Sequence, residues 1–248
     1  LTDSTSAEEN STTFMFDYNT GWSSDAGFNY TNQYSWMWKR APNFCDVVAY
    51  TGNSTSGRTV SHNLGVAPEM VWIKARNQTY DWAVHHKDVG FSNILYLNHT
   101  LAEASNPYFI SASSATEFTT GYSGLTSTYS NQSGTNYIAY LFASLDGISK
   151  VGSYTGNDSS QTIDCGFTSG ARFVLIKSTT QSQPWFVFDS TRGIVAGNDP
   201  YLQLNSTAAE NELGAIDVID PHNSGFIVNT PMAGINDNNE TYIFYAIA

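Results

Sequence analysis

Asp81 and Trp82 stand side by side, and Trp185 precedes Asp189 by four residues. An aromatic ring beside a carboxylate suits a sugar: the ring stacks on its apolar face and the acid takes hydroxyls. Asp81, Glu103, Asp189 and Glu210 also raise the question of glycoside hydrolysis, which needs two carboxylates across one cleft. Both tryptophans, however, recur at equivalent places on apolar strands, and recurrence there favours buried core over a sugar platform. Glu103 and Glu210 sit in Ala-rich segments, where capping a turn or a helix start suits them better than acid catalysis.

Metal chemistry has fewer footholds. His85 and His86 are adjacent, so on a strand they point to opposite faces and do not chelate one ion. Asn198-Asp199-Pro200 and the loop Asn236-Asp237-Asn238-Asn239-Glu240 are oxygen-rich. Asp199, Asp237 and Glu240 are therefore calcium candidates, against a competing reading as solvated turns, because the regular calcium-loop spacing is missing. No other cofactor is expected. The sequence has no nucleophile elbow, phosphate loop or dinucleotide fingerprint. No residue is assigned a catalytic role, and the chain is not expected to be an enzyme.

The elements that carry these residues are written twice. Tyr50-Thr51-Gly52-Asn53 returns as Tyr154-Thr155-Gly156-Asn157, and Met70–Lys74 returns as Phe173–Lys177. Trp82 returns as Trp185, Leu97–Glu103 as Leu204–Glu210, and Tyr137–Tyr140 as Tyr242–Tyr245. The period of about 103–107 residues suits tandem domains. Phe14 and Trp36 keep the spacing of Phe118 and Tyr140, and Phe226 with Tyr245 nearly so. The expected core of the repeat is Tyr50, Tyr154, Trp36, Tyr140, Tyr245, Phe14, Phe118 and Phe226.

Short β-prone runs separated by Gly, Asn and Ser turns predict an all-β chain of tandem β-sandwich repeats, jelly-roll or lectin-like. Residues 1–40 read as the C-terminal half of an upstream copy, 44–144 as one repeat and 148–248 as another. The chain is therefore expected to be the end of a longer, processed array. Helix is expected at most as a turn or two, at Ala102–Ser105 and Ala208–Leu213.

Composition narrows the partners. Charged residues make up 13%, about half the usual ~25%. Aromatics reach 14%, which excludes disorder. The net charge of −12, with ten Lys plus Arg and no cationic cluster, argues against nucleic acid and anionic lipid. No apolar run approaches a membrane span. Cys45 and Cys165 sit at non-equivalent places; buried free thiols outweigh a bridge between them. Asn-x-Ser/Thr triplets begin at Asn10, Asn29, Asn53, Asn77, Asn98, Asn131, Asn157, Asn205 and Asn239. Those at Asn53, Asn157, Asn98 and Asn205 repeat, which turn chemistry explains.

The order of blocks carries a resemblance. Arg40-Ala41-Pro42-Asn43-Phe44 leads into Asp46–Asn53, then Gly57–Met70 with its His62-Asn63-Leu64-Gly65-Val66-Ala67-Pro68 turn. Gly134–Ala143 closes the copy. The chain resembles an uncharacterised repeat domain of tailed-phage proteins, common in marine phages of cyanobacteria and other bacterioplankton. Such proteins are described as tail-fibre-like or virion structural. The second copy departs from the pattern, with Gly166–Gly170 in place of the His62 turn. The resemblance implies a virion part and no chemistry. The expected function is a structural or adhesive bacteriophage protein, in a tail fibre, tail appendage or capsid decoration. The expected partners are other virion subunits, copies of itself (a trimer if a fibre) and host-surface glycans. A lectin-like module of a secreted or cell-surface protein is the alternative, and a polysaccharide-degrading enzyme the second.

Overall fold

Two runs of strands follow one another in the same order, as the duplicated residues require. In the computed structural model, residues 6–8, 14–18, 21–24, 35–121, 129–210, 217–229 and 232–248 are described. The front segment contributes an antiparallel hairpin, β1 (Phe14–Tyr18) and β2 (Gly21–Ser24). The first repeat holds β3 (Cys45–Thr51), β4 (Arg58–Ser61), β5 (Met70–Ala75), β6 (Ala83–His86) and β7 (Asn93–Tyr96). It continues with β8 (Ala104–Ser105), β9 (Ile110–Ser113), β10 (Glu117–Thr120) and β11 (Asn136–Phe142). The second holds β12 (Ser149–Thr155), β13 (Gln161–Asp164), β14 (Phe173–Ser178), β15 (Phe186–Asp189) and β16 (Leu202–Gln203). It ends with β17 (Ile219–His222), β18 (Gly225–Val228) and β19 (Thr241–Ile247).

Each repeat is a sandwich of a large and a small antiparallel sheet. The large sheets run β3-β11-β5-β6-β7-β8 and β12-β19-β14-β15-β16; the small ones run β4-β10-β9 and β13-β18-β17. No helix occurs among the described residues. Ala102–Ser105, expected to turn helically, ends in β8, because Ala104 finds a ladder partner in Ile94. Ala208–Glu210 are also non-helical, and 211–213 lie outside the described residues.

β5 and β14 show why their sequences are unbroken apolar runs. Every residue in both is buried, because each strand has a core on both faces. Val71 and Ile73 face the first sandwich's interior, and Val174 and Ile176 face the second's. Met70, Trp72, Phe173 and Leu175 face a third core between the large sheets, with Phe142, Trp185 and Tyr245. Trp36 and Trp38 pack against that central core. Burying side chains of this size contributes about 1.5–3 kcal/mol each.

The repeated Tyr-Thr-Gly-Asn block also has a geometric cause. Tyr50 stacks on Tyr137 at 5.3 Å, and Tyr154 on Tyr242 at 5.0 Å. Their hydroxyls donate to the carbonyls of Ser130 and Ile235. A Cβ on Gly52 would lie 2.0 Å from the Gln132 carbonyl oxygen, and one on Gly156 2.1 Å from that of Asp237. Asn53 and Asn157 each accept an amide two residues on, from Thr55 and Ser159. That is the Asx turn their spacing predicts.

Candidate functional site

The candidate residues are held by the contacts that join the copies. Trp185 is 1% exposed, and its indole N–H donates to the Tyr96 carbonyl of the other repeat at 2.9 Å. Its backbone N–H donates to Asn205 Oδ1 at 2.8 Å, as that of Trp82 does to Asn98 Oδ1 at 2.9 Å. Asn98 and Asn205 thus serve as matched acceptors. Trp82 is half-buried and tilts against Tyr140 at 6.0 Å. Asp81 is committed to Asn98 and His99, at 2.8 and 2.9 Å.

Asp189 meets Trp36, not Trp185, as its aromatic hydrogen-bond partner. Its Oδ2 accepts the Trp36 indole N–H at 3.1 Å and Arg192 Nε at 2.8 Å; its Oδ1 accepts the amides of Thr191 and Arg192. Burial pushes the carboxyl up, but the indole and Arg192 outweigh it and hold the group below the usual aspartate range. Arg192 also bonds Glu210 at 3.2 Å, so one buried guanidinium neutralises both acids. Glu103 lies apart. Its amide donates to the Thr179 carbonyl at 2.8 Å, and burial raises its carboxyl.

The calcium candidates do not converge. Asp199 is fully buried, with Oδ2 accepting the amides of Val218 and Ile219, both at 2.9 Å. Asp237 Oδ2 accepts the Gly234 amide and the Tyr242 hydroxyl. Glu240 accepts from the Thr180 hydroxyl. Among the described residues no cluster of three or more His, Cys, Asp or Glu could hold a metal ion. His85 stacks on Phe91 at 4.7 Å, while His86 Nδ1 accepts the Asp88 amide at 3.2 Å. Burial lowers these imidazoles to about 4 and about 3. His62, also lowered by burial, accepts the Leu64 amide on Nδ1. Cys45 and Cys165 are buried free thiols in different cores.

Of the expected core residues, Phe118, Phe226 and Tyr245 are fully buried and Tyr154 nearly so, while Tyr50, Tyr140 and Trp36 are half-buried. The side chain of Phe14 and the triplets at Asn10 and Asn29 lie outside the described residues.

What the sequence does not signal is how the copies meet. The Glu8 amide donates to the Arg76 carbonyl at 2.5 Å, and the Glu103 amide to the Thr179 carbonyl at 2.8 Å. Arg76 and Thr179 are equivalent positions, each two residues after the repeated lysine. So the front segment caps the first repeat, and the first repeat caps the second. A two-fold relation would put Glu210 on Arg76, but Glu8 already occupies it. Trp36 on Asp189 then joins the front segment to the second repeat. The cycle closes around three rings, one from each copy. Trp38 lies 5.7 Å from Phe142 and 6.2 Å from Tyr245, and Phe142 lies 5.0 Å from Tyr245. Lys177, fully buried, crosses the seam to the Thr100 carbonyl at 3.1 Å.

A family model for a domain of unknown function, DUF7483, matches residues 2–248. The chain belongs to the DUF7483 family. The match treats as one unit what the central aromatic core also holds as one. No curated protein and no solved structure matches this DUF7483 chain.

Proposed function

We propose that this protein is a structural and adhesive virion protein of a tailed bacteriophage, carried on a tail fibre, tail appendage or capsid surface. One observation carries the reading. The acids and aromatics that could do chemistry are spent inside the fold, and two of them join its parts: Asp189 holds Trp36 of the front segment, and Trp185 reaches the first repeat. Asp189, Glu210 and Arg192 form an internal ion network, and Trp185 is a seam residue. A rigid block with polar, weakly charged loops suits assembly and repeated weak contact, where avidity replaces a deep pocket. The likeness of its sequence blocks to phage repeat domains supports the same reading. Its partners on this view are other virion subunits and host-surface glycans.

The test is microscopy of the native particle. Gold-labelled antibody against this chain should decorate intact virions at a fixed place, and a map of the particle should hold the three-ring block. Label confined to cells, with virions bare, would end the proposal.

A further inference from the structure

The two repeats differ most usefully where the front segment meets the second. A cleft of about 380 Å³ opens there. Trp36, Met37 and Trp38 line it together with Arg172, Ser190 and Thr191, beside the last residue, Ala248. Met37 is 59% exposed, far above the rest of the apolar junction beside it. The Trp36 ring cannot turn freely, since Asp189 holds its N–H and Arg192 lies 5.6 Å from its centroid.

Arg172 is the informative residue. Its counterpart in the first repeat is Glu69, one position before the repeated strand. Glu69 is used internally: its carboxylate accepts from the amide and hydroxyl of Ser144, the amide at 2.7 Å. Arg172 reverses that charge, is exposed, and its guanidinium has no side-chain partner among the described residues. The Asp189 oxygens are already taken by four donors. Around that occupied acid the cleft offers a guanidinium, two hydroxyls and an apolar wall.

We infer that this cleft binds an acidic saccharide, with the sugar carboxylate on Arg172 and the ring's C–H face on Trp36 and Met37. Guanidinium pairs with carboxylate through charge-assisted, two-pronged hydrogen bonds. Aromatic faces take the apolar side of a pyranose. The chain's negative charge does not oppose this at short range, because salt screens it beyond about 8 Å. The site deepens the adhesive half of the function proposed above by naming a ligand class.

The experiment uses the whole chain and saturation-transfer NMR with calorimetry. The probes are a galacturonic acid trisaccharide, the neutral galactose trisaccharide, and a short peptide with a free C-terminal carboxylate. Wild type should bind the uronic acid at least about tenfold more tightly than the neutral sugar. R172Q, at an exposed position, should keep its fold by circular dichroism and lose that preference. Met37→Ala should weaken both sugars together. Equal binding of the two sugars, unchanged binding by R172Q, binding of the peptide alone, or no saturation at millimolar sugar would each overturn the site. None of those results touches the virion assignment, which rests on particle labelling.

Discussion

The indole N–H of Trp36 lies 3.1 Å from a carboxylate oxygen of Asp189, 153 residues further along the chain. That bond ties the front segment to the second repeat, which it does not precede directly. It makes the front segment part of one folded unit with both sandwiches. Several measurable consequences follow from the same junction and from the repeated turns.

Trp38→Ala should destabilise the whole chain by about 2–4 kcal/mol, since it empties one corner of the Trp38–Phe142–Tyr245 triangle. Urea unfolding monitored by fluorescence and by far-ultraviolet circular dichroism reads this. A change confined to fluorescence, with the midpoint unmoved, would show that the ring merely rests on the surface.

Gly52→Ala and Gly156→Ala should each cost about 2–3 kcal/mol, because the new methyl meets a carbonyl oxygen at close to 2 Å. Gly57→Ala is the contrast. That position has φ of +69° but open space around it, so only about 1 kcal/mol of strain is expected. Equal costs at the three positions would refute the close-approach explanation.

Acid should weaken the fold before ordinary carboxylates titrate. His85 and His86 have folded values of about 4 and about 3, below the 6.5 of the free side chain. The unfolded chain therefore binds protons that the folded chain refuses. Their stabilising effect is complete above about pH 6.5 and declines on acidification towards 4, by at most about 1.4 kcal/mol per pH unit for each imidazole. Stability should fall between pH 7 and about pH 5, and the H85Q/H86Q variant should flatten that slope. A wild-type profile already flat across the window would count against both assignments.

Asp199→Ala should cost about 3 kcal/mol or more, because the Val218 and Ile219 amides lose their shared acceptor inside the second sandwich. Adding calcium to wild type should leave the melting temperature where it was. A rise on adding calcium, lost in the Asp199→Ala variant, would restore Asp199 as a metal ligand.

The all-β fold was legible because its signals are local or periodic. Alternation, turn residues and the duplicated Tyr50 and Tyr154 blocks each report on neighbours within one sandwich. The unbroken apolar runs at Met70–Ala75 and Phe173–Ser178 carried further information, since two buried faces imply a second core beyond the sandwich. Trp36, Tyr140 and Tyr245 were expected to be core and do meet there, but that they share one core between the copies was not legible. Trp36 and Asp189 belong to different copies, and nothing in their local sequence announces the pairing. The Ala-rich segments misled for a related reason. Alanine favours helix weakly, and a ladder partner at Ile94 outweighs it at Ala104.

The passing of one segment onto the next copy has an evolutionary consequence. In a simple string of beads, a duplicated gene segment can be added at either end, because each new contact copies the last. Here Glu8 and Glu103 each close the strand end of the following copy, while three rings fill a common centre. Any further copy would have to pack outside that centre, which the three rings already fill. The rim is freer than the centre: Arg172 stands exposed there where the other repeat has Glu69, which is held by Ser144.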